Sequence, residues 1–325
     1  MNLVRKILNK FNGLYYQQEY LCLDKESFQY PLHAYFVSDN LVIKDITNHH
    51  LFTGYSPLIF TFDSCDKTIF PQTENIKLVF SHQQFQPNDF LPEKDAVATL
   101  YLQKIHEQSS GNDSFYYYRG TKGEHHFISS FHKFILQLQN RLFNNKTGNI
   151  YLEGNLLKQV QIAYSLPRII SLITVRSGDL YNLFPTDLHG QINAGHYIIS
   201  LRQGGNAAQQ VGMTKEILIA EINSAFYKTA YSLGKNHMRD FRAKDQFPFN
   251  EKLSEILDLP LPRSAACYRE LELFDSFDHG LHRLFLFKIL GSRQIDNKPS
   301  TLSHIHNVYA TWRRNKGLPG NYLLR

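Results

Sequence analysis

The chain has 325 residues, of which 42% are hydrophobic and 14% aromatic; this composition is typical of a folded protein and excludes an intrinsically disordered one. The net charge is +6, and the excess lies in the second half: residues 1–150 hold 14 Lys and Arg against 14 Asp and Glu, whereas residues 151–325 hold 21 against 15. An anionic ligand is therefore expected in the second half, while the scattered basic residues predict no nucleic-acid partner.

The N-terminal segment and the cysteines indicate the compartment. Charged or amide residues interrupt every short apolar run of "MNLVRKILNKFNGLYY", so no secretion signal is predicted. No window approaches the roughly 18 continuous apolar residues of a membrane span. Cys22, Cys65 and Cys267 are odd in number and far apart, which favours a reducing compartment over a disulfide framework or zinc site. We therefore expect a cytoplasmic protein without a membrane partner.

Residues 1–150 are predicted to form short strands, because each apolar run is brief and rich in β-branched and aromatic residues. The runs are "LHAYFVS", "LVIKDI", "SPLIFTF" and "IKLVF". The segment "SSFHKFILQLQNRLFNN" instead carries apolar residues near helical spacing after a serine, which predicts one amphipathic helix. The polar "NNKTGN" at 144–149 predicts a domain boundary.

The second half alternates strands and short helices. Strands are predicted at "RIISLITVR", "YIISLR", "EILIAEI" and the closing "HRLFLFKIL", and helices at "NAAQQVG", "NSAFYKTAYSLG" and "EKLSEIL". The pattern predicts a mainly β protein, a small β-barrel with inserted helices. We divide the chain into a strand-rich region at 1–150, a barrel at 151–295 and a C-terminal helical tail at 296–325. A weak similarity between "TGYSPLIFTFD" and "AGHYIISLR" leaves open that the first region is a degenerate copy of the barrel.

Residues 164–290 resemble the flavin reductase-like group of FMN-binding split barrels. The similar segments are "SLPRIISLITVRSGDLYNLFP", "HYIISLRQGGNAAQQVGMTKEILIAEIN", "AACYRELELF" and "GLHRLFLFKIL", in the family's order. The resemblance implies a Greek-key barrel of six strands that forms a homodimer. It also implies FMN as cofactor and NADH or NADPH as substrate.

The resemblance also implies which residues bind the cofactor. Two segments would contact the FMN phosphate, and their residues are Asn182, Thr186, Asp187, His189, Arg202, Gln203, Gly204, Gly205 and Asn206. The residues of "RQGGNAA" agree with this role, because Arg202 offers several donors, the two glycines permit close backbone approach, and a helix N-terminus favours an anion. A glycine turn that leads into a helix is also a common connection between secondary-structure elements. Both interpretations, phosphate contact and simple connection, therefore stay open.

The histidine of the family's Gly-Asp-His pattern corresponds to His282, which would orient the flavin or the nicotinamide. The sequence departs from the pattern at Leu281, where the family has an aspartate. The alternative for His282 is that it ends a strand at the barrel rim, hydrogen-bonded to the backbone. Asp187 would repel a phosphate unless its side chain points away.

Two functions are consistent with these features. The first is an FMN-binding oxidoreductase of flavin reductase type that transfers hydride from NAD(P)H to flavin. The alternative is a non-catalytic split-barrel protein that binds FMN or another anion as a sensor, store or interaction module. No metal site is predicted, because the histidine pairs at 49–50 and 125–126 would point to opposite faces of a strand.

Overall fold

The computed structural model describes residues 3–16, 20–48, 50–63, 74–110, 113–143, 150–297, 300–318 and 322–323. The chain divides into two compact units. Unit 1 comprises Met1–Leu21, Phe28–Pro167 and Ile305–Arg325, and unit 2 comprises Cys22–Ser27 and Arg168–His304. Neither unit is continuous in sequence, whereas continuous domains with boundaries near residues 150 and 295 were predicted. The predicted boundary segment 144–149 lies outside the described residues.

The elements before residue 168 begin with a helix and continue mainly as strands. They are α1 (Leu3–Phe11), β1 (Tyr20–Asp24), β2 (His33–Ser38), β3 (Leu41–Asp45), β4 (His50–Tyr55), β5 (Leu58–Asp63), β6 (Asn75–Ser81), β7 (Ala98–Ser110), β8 (Asp113–His125), α2 (Ser130–Phe143) and α3 (Leu156–Ala163). Strands β2–β8 form an antiparallel sheet of order β3-β2-β6-β7-β8-β5-β4. The predicted strands and the amphipathic helix of this region are confirmed.

Helix α3 belongs to unit 1 because it packs closely on strand β8. The amide nitrogen of Gly123 donates to Asn155 Oδ1 at 2.5 Å, and Asn155 Nδ2 donates to the Gly123 carbonyl at 3.0 Å. A Cβ atom at Gly123 would lie 3.0 Å from the backbone of Gln159, so glycine is what allows this approach. These contacts group residues 150–167 with the first sheet.

The remaining elements alternate strands with short helices. They are β9 (Arg168–Ile169), β10 (Ser171–Ser177), β11 (Leu180–Thr186), β12 (His189–Gln191), β13 (His196–Arg202), α4 (Asn206–Thr214), β14 (Glu216–Ile222), α5 (Tyr227–Leu233), β15 (Arg242–Ala243), β16 (Phe249–Leu253), β17 (Pro260–Pro262), β18 (Ala265–His279), β19 (His282–Gln294), β20 (Leu302–His306), α6 (Asn307–Asn315) and β21 (Tyr322–Leu323). The predicted helical tail thus contains α6 together with strand β20.

Unit 2 is built on an antiparallel sheet of order β12-β13-β19-β18-β14-β10-β11-β15. Strands β13, β14, β18 and β19 form a Greek key, because the last of the four returns beside the first. Side chains from β13 and from β11 share one buried cluster, which includes Tyr197 and Phe184. These strands are five positions apart in the sheet, roughly 24 Å if it were flat, so the sheet must curl into a barrel. The predicted fold class, a mainly β split barrel with inserted helices, is confirmed.

Two predicted elements of unit 2 differ from the structure. The segment "EKLSEIL" was predicted as a helix, and this was wrong: its first residues belong to β16, which pairs with β17. Tertiary pairing overrides local helix propensity here. The predicted strand at 168–176 is divided at Ile170 between β9, which pairs with β20, and β10. None of the helices in the described ranges is long and apolar enough to cross a membrane.

Candidate functional site

The end of the β13–β19 strand pair brings together the two residues with the clearest predicted roles. Arg202, the last residue of β13, pairs in register with His282, the first residue of β19. The Arg202 side chain is exposed, whereas His282 is only 2% exposed. His282 Nδ1 lies 3.1 Å from the Ser200 hydroxyl. The strand pair thus presents a cation at the surface with an imidazole beneath the rim.

Gln203 connects this strand end to the turn between β18 and β19. Its amide nitrogen donates to the Leu281 carbonyl at 3.0 Å. Its side-chain Nε2 donates to the carbonyls of Gly280 and His282 at 3.0 and 3.1 Å. Gln203 was predicted to contact the cofactor. In the structure its hydrogen bonds fix the turn that precedes His282. Leu281, found where an acid was expected, contributes a backbone carbonyl to this role.

Helix α4 begins at Asn206, three residues after Gln203, and has no side-chain cap at Gly205. A Cβ atom at Gly205 would lie 3.2 Å from the His237 carbonyl, whereas one at Gly204 would meet no atom within 4 Å. The side chain of Asn206 donates to Asp240 Oδ1 at 2.8 Å. The Ala208 amide donates to the Gly205 carbonyl at 3.2 Å, so the backbone donors that this helix end can offer beside the open space at Gly204 are the amides of Asn206 and Ala207.

Asn182, which was predicted to contact the cofactor, is completely buried. Its Nδ2 donates to Gln210 Oε1 at 2.7 Å and to the Asn236 carbonyl at 3.0 Å, and its Oδ1 accepts from the Leu183 amide at 2.8 Å. The amide thus joins β11 to α4 and to the 3₁₀ turn Gly234–Met238. These internal bonds give Asn182 a bracing role.

Thr186 and His189 lie at and just after the end of β11. Thr186 is buried, with 8% of its surface exposed. His189 Nε2 is 3.0 Å from the Ile169 carbonyl, which can only accept, so Nε2 carries the hydrogen. Nδ1 then accepts from the Tyr197 hydroxyl at 2.6 Å. Both ring nitrogens of His189 are therefore occupied within the protein.

A chain of three side chains near this site was not found by sequence reasoning. Asp187 Oδ2 accepts a hydrogen bond from His304 Nδ1 at 2.7 Å, and His304 Nε2 lies 2.5 Å from the Tyr231 hydroxyl. Asp187 directly follows β11, His304 lies in β20 and Tyr231 lies in α5, so no local pattern relates them. The Asp187 carboxylate is thus directed toward a hydrogen-bond donor of the protein. This contact reduces the repulsion that the carboxylate would exert on a nearby anion.

Burial keeps His282, His237 and His189 neutral at pH 7. Burial, assisted by the positive charge of Arg202, lowers the pKa of His282 to about 4, although Asp187 acts in the opposite direction. Burial also lowers the pKa of His237, whose Nε2 donates to the Pro185 carbonyl at 2.7 Å. Burial lowers the pKa of His189 to about 4. These three imidazoles therefore add no positive charge at pH 7, whereas Arg202 is a cation at the same strand end.

The shifted pKa of His282 predicts a loss of stability in acid. An unfolded histidine with a pKa near 6.5 takes up a proton before the folded one does, so stability is complete above that pH and falls toward pH 4. We expect His282 to contribute on the order of 2 kcal/mol of destabilisation between pH 7 and pH 5. Urea unfolding at both pH values would measure it, with His282→Asn as the variant.

The variant should show a smaller loss between pH 7 and pH 5 than the wild type. His126→Asn, at an exposed histidine, is the matched control and should keep the wild-type loss. An equal loss in the wild type and in His282→Asn would contradict the assignment.

The donors of this site fit the phosphate end of FMN. A guanidinium, the first amides of α4 and the open space at Gly204 are the features that bind a phosphate in proteins. The carboxylates of Asp187 and Asp240 oppose an anion; the first accepts from His304 Nδ1 and the second from Asn206 Nδ2. Among the described residues, no group of three or more His, Cys, Asp or Glu side chains is arranged to hold a metal ion.

The fold is a split barrel in which the β13–β19 strand pair ends at the exposed Arg202, four residues before helix α4 begins. No protein-family model matches the chain, and no curated protein matches it. Similar solved structures are the flavin reductase component BorF of a bacterial two-component tryptophan halogenase and the NADH:FAD oxidoreductase SgcE6 of Streptomyces globisporus.

BorF is 14% identical, with a TM-score of 0.40, over 51% of this chain and 97% of its own. SgcE6 is 13% identical, with a TM-score of 0.40, over 47% of this chain and 89% of its own. An FMN-binding protein from Thermus thermophilus is 18% identical, with a TM-score of 0.36, over 39% of this chain and 71% of its own. By name these proteins are a flavin reductase component, an NADH:FAD oxidoreductase and an FMN-binding protein, and residues 164–290 resemble this group in sequence. The structural similarity covers between 39% and 51% of this chain.

Proposed function

We propose that unit 2 binds FMN and acts as an oxidoreductase of flavin reductase type that uses NADH or NADPH. The observation that carries the proposal is the exposed guanidinium of Arg202 beside the uncapped N-terminus of α4, at the end of a split barrel. Bound FMN would accept the hydride, and the protein supplies binding and orientation. Arg202 and the first amides of α4 would hold the phosphate.

His282 would act as an orienting residue in this proposal. Its ring is neutral at pH 7 because its pKa is lowered to about 4, so it can exchange hydrogen bonds without adding charge. Gln203 holds the turn before it, and Ser200 contacts its Nδ1. Hydride transfer from a nicotinamide to a flavin needs no protein acid or base, which agrees with the neutral state of these groups.

The test of the proposal uses the purified full chain. Added FMN should bind, as measured by the change in flavin absorbance and fluorescence, and anaerobic NADH or NADPH should bleach the bound flavin. Failure to take up FMN would overturn the proposal as a whole. Uptake of FMN without bleaching by either nicotinamide would overturn the enzymatic part only.

The second outcome would favour the alternative, a split barrel that binds FMN or another anion without catalysis. The burial of His282 supports this alternative, since only 2% of its surface can be reached by a second ligand. A homodimer remains a prediction from the sequence resemblance.

Asp187→Asn is expected to tighten FMN binding about threefold, because it removes a negative charge from the anion site. Asparagine Oδ1 can still accept from His304 Nδ1, so the local hydrogen bond is retained. Fluorescence titration at low salt would measure the change, which should shrink as salt is added.

The matched control is Asp179→Asn, an exposed aspartate in the turn at the opposite end of β11. Its FMN affinity should equal that of the wild type. Weaker binding in Asp187→Asn would show that the carboxylate helps to build the site, contrary to the proposal.

A further inference from the structure

Helix α2 of unit 1 lies with its apolar side outward. Four large apolar side chains at helical spacing are exposed: Phe131 by 59%, Phe134 by 65%, Leu138 by 43% and Leu142 by 57%. The polar residues Gln139 and Asn140 are buried, at 9% and 8% exposure. A surface helix normally does the opposite, with its apolar stripe on the core.

Hydrogen bonds from the polar side hold α2 in this orientation. Asn140 Nδ2 donates to the Leu152 carbonyl at 2.8 Å, and Lys133 Nζ donates to the His125 carbonyl. Turning the apolar stripe inward would break both bonds and bury other polar groups. The exposed stripe is therefore a fixed feature of the unit 1 surface.

Helix α1 repeats the arrangement independently. Leu3, Ile7 and Phe11, which follow one another along one side of the helix, are 70%, 60% and 66% exposed. The buried residues are again amides: Asn9 is 5% exposed, and Asn12, just after the helix, is 2% exposed. Two helices of one unit thus each expose a stripe of apolar side chains, and exposed apolar patches mark interaction sites.

The charges beside these stripes have one sign. Helix α1 contains Arg5, Lys6 and Lys10, helix α2 contains Lys133 and Arg141, and neither contains an aspartate or glutamate. Lys6, Lys10 and Arg141 are exposed next to the apolar side chains. A second copy of the chain would bring like charges together on these faces, whereas an anionic surface would attract them.

We propose that α1 and α2 are interfacial helices through which unit 1 binds an anionic lipid surface. Apolar side chains would enter the boundary between head groups and acyl chains, and the basic residues would contact the head groups. A helix that lies in the membrane interface is amphipathic with a basic polar face, whereas a spanning helix is apolar on all sides, so the lack of a spanning helix among those described does not bear on this. The prediction of no membrane partner rested on the lack of a long apolar segment, which bears only on helices that span a membrane.

The experiment is flotation of the full chain with phospholipid vesicles. We expect binding to vesicles of equal parts phosphatidylcholine and phosphatidylglycerol, and binding to phosphatidylcholine alone that is weaker by about tenfold or more. Phe131→Ser with Phe134→Ser, and separately Ile7→Ser with Phe11→Ser, should each weaken binding to the anionic vesicles by about tenfold. Lys6→Gln with Lys10→Gln should weaken it more at low salt than at high salt.

The control is Phe90→Ser, because Phe90 is 60% exposed in unit 1 but lies outside both helices. This variant should bind the anionic vesicles like the wild type. All substituted side chains are exposed, and an unchanged circular dichroism spectrum would verify folding. The proposal is overturned by absence of binding to anionic vesicles. It is also overturned if the helix variants instead abolish a concentration-dependent dimer, or if binding is equal for neutral and anionic vesicles.

Discussion

Replacing Asn182 by leucine is expected to lower the free energy of unfolding by about 3 kcal/mol, the largest stability effect in the barrel site. Leucine has nearly the same shape, but it removes donors to Gln210 Oε1 and to the Asn236 carbonyl, and an acceptor for the Leu183 amide. These groups are buried, so they would lose hydrogen bonds without gaining water.

Urea unfolding followed by far-ultraviolet circular dichroism would measure the change. The control is Gln209→Leu, an exposed position on the same helix α4, whose midpoint should stay near that of the wild type. Since the chain has two units, the transition to be compared is the one that shifts in the variant. An unshifted midpoint in Asn182→Leu would show that the amide is not a brace.

Arg202→Ala is expected to weaken FMN binding by about 10- to 100-fold, the largest functional effect. The loss of one charge-assisted hydrogen bond to a phosphate has this magnitude. Riboflavin lacks the phosphate, so its affinity should be the same in the variant and the wild type. Fluorescence titration with both ligands would separate loss of the phosphate contact from general damage to the site.

Lys288→Ala is the matched control for charge. Lys288 is an exposed cation on the same strand pair, but it pairs with His196 at the opposite end from Arg202. Its removal changes the net charge equally and should leave FMN affinity near the wild-type value. Equal FMN affinity in Arg202→Ala and the wild type would remove the phosphate assignment.

The predicted site residues proved to have different environments. The side chains of Gln203, Asn206 and His189 donate or accept within the protein, and the Gly205 amide donates to the Arg202 carbonyl at 3.1 Å. The Arg202 side chain is exposed, and the position at Gly204 faces open space. A motif gives residue types and order, and these were sufficient to predict that the segments meet. Which polar atoms remain for a ligand depends on the neighbours that each side chain acquires on folding.

Helix α2 shows the same limit in unit 1. Its spacing of apolar residues predicted an amphipathic helix, and the helix is present as Ser130–Phe143. The pattern contains no information on which side faces the protein, and the usual expectation places the apolar side inward. Hydrogen bonds from Asn140 and Lys133 to carbonyls outside the helix instead hold the polar side against the protein and leave the apolar side exposed.

The sequence by itself determined most of the strands, the amphipathic helix and the mainly β class, because these depend on periodicity within a few residues. Strand β14, for example, spans Glu216–Ile222, as predicted from "EILIAEI" alone. The tertiary structure decided the bracing role of Asn182, whose partners lie 28 and 54 positions away, and the Asp187–His304 contact across 117 positions. Such contacts arise only when the barrel closes, because hydrogen bonds act over about 3 Å in space and are independent of distance along the chain.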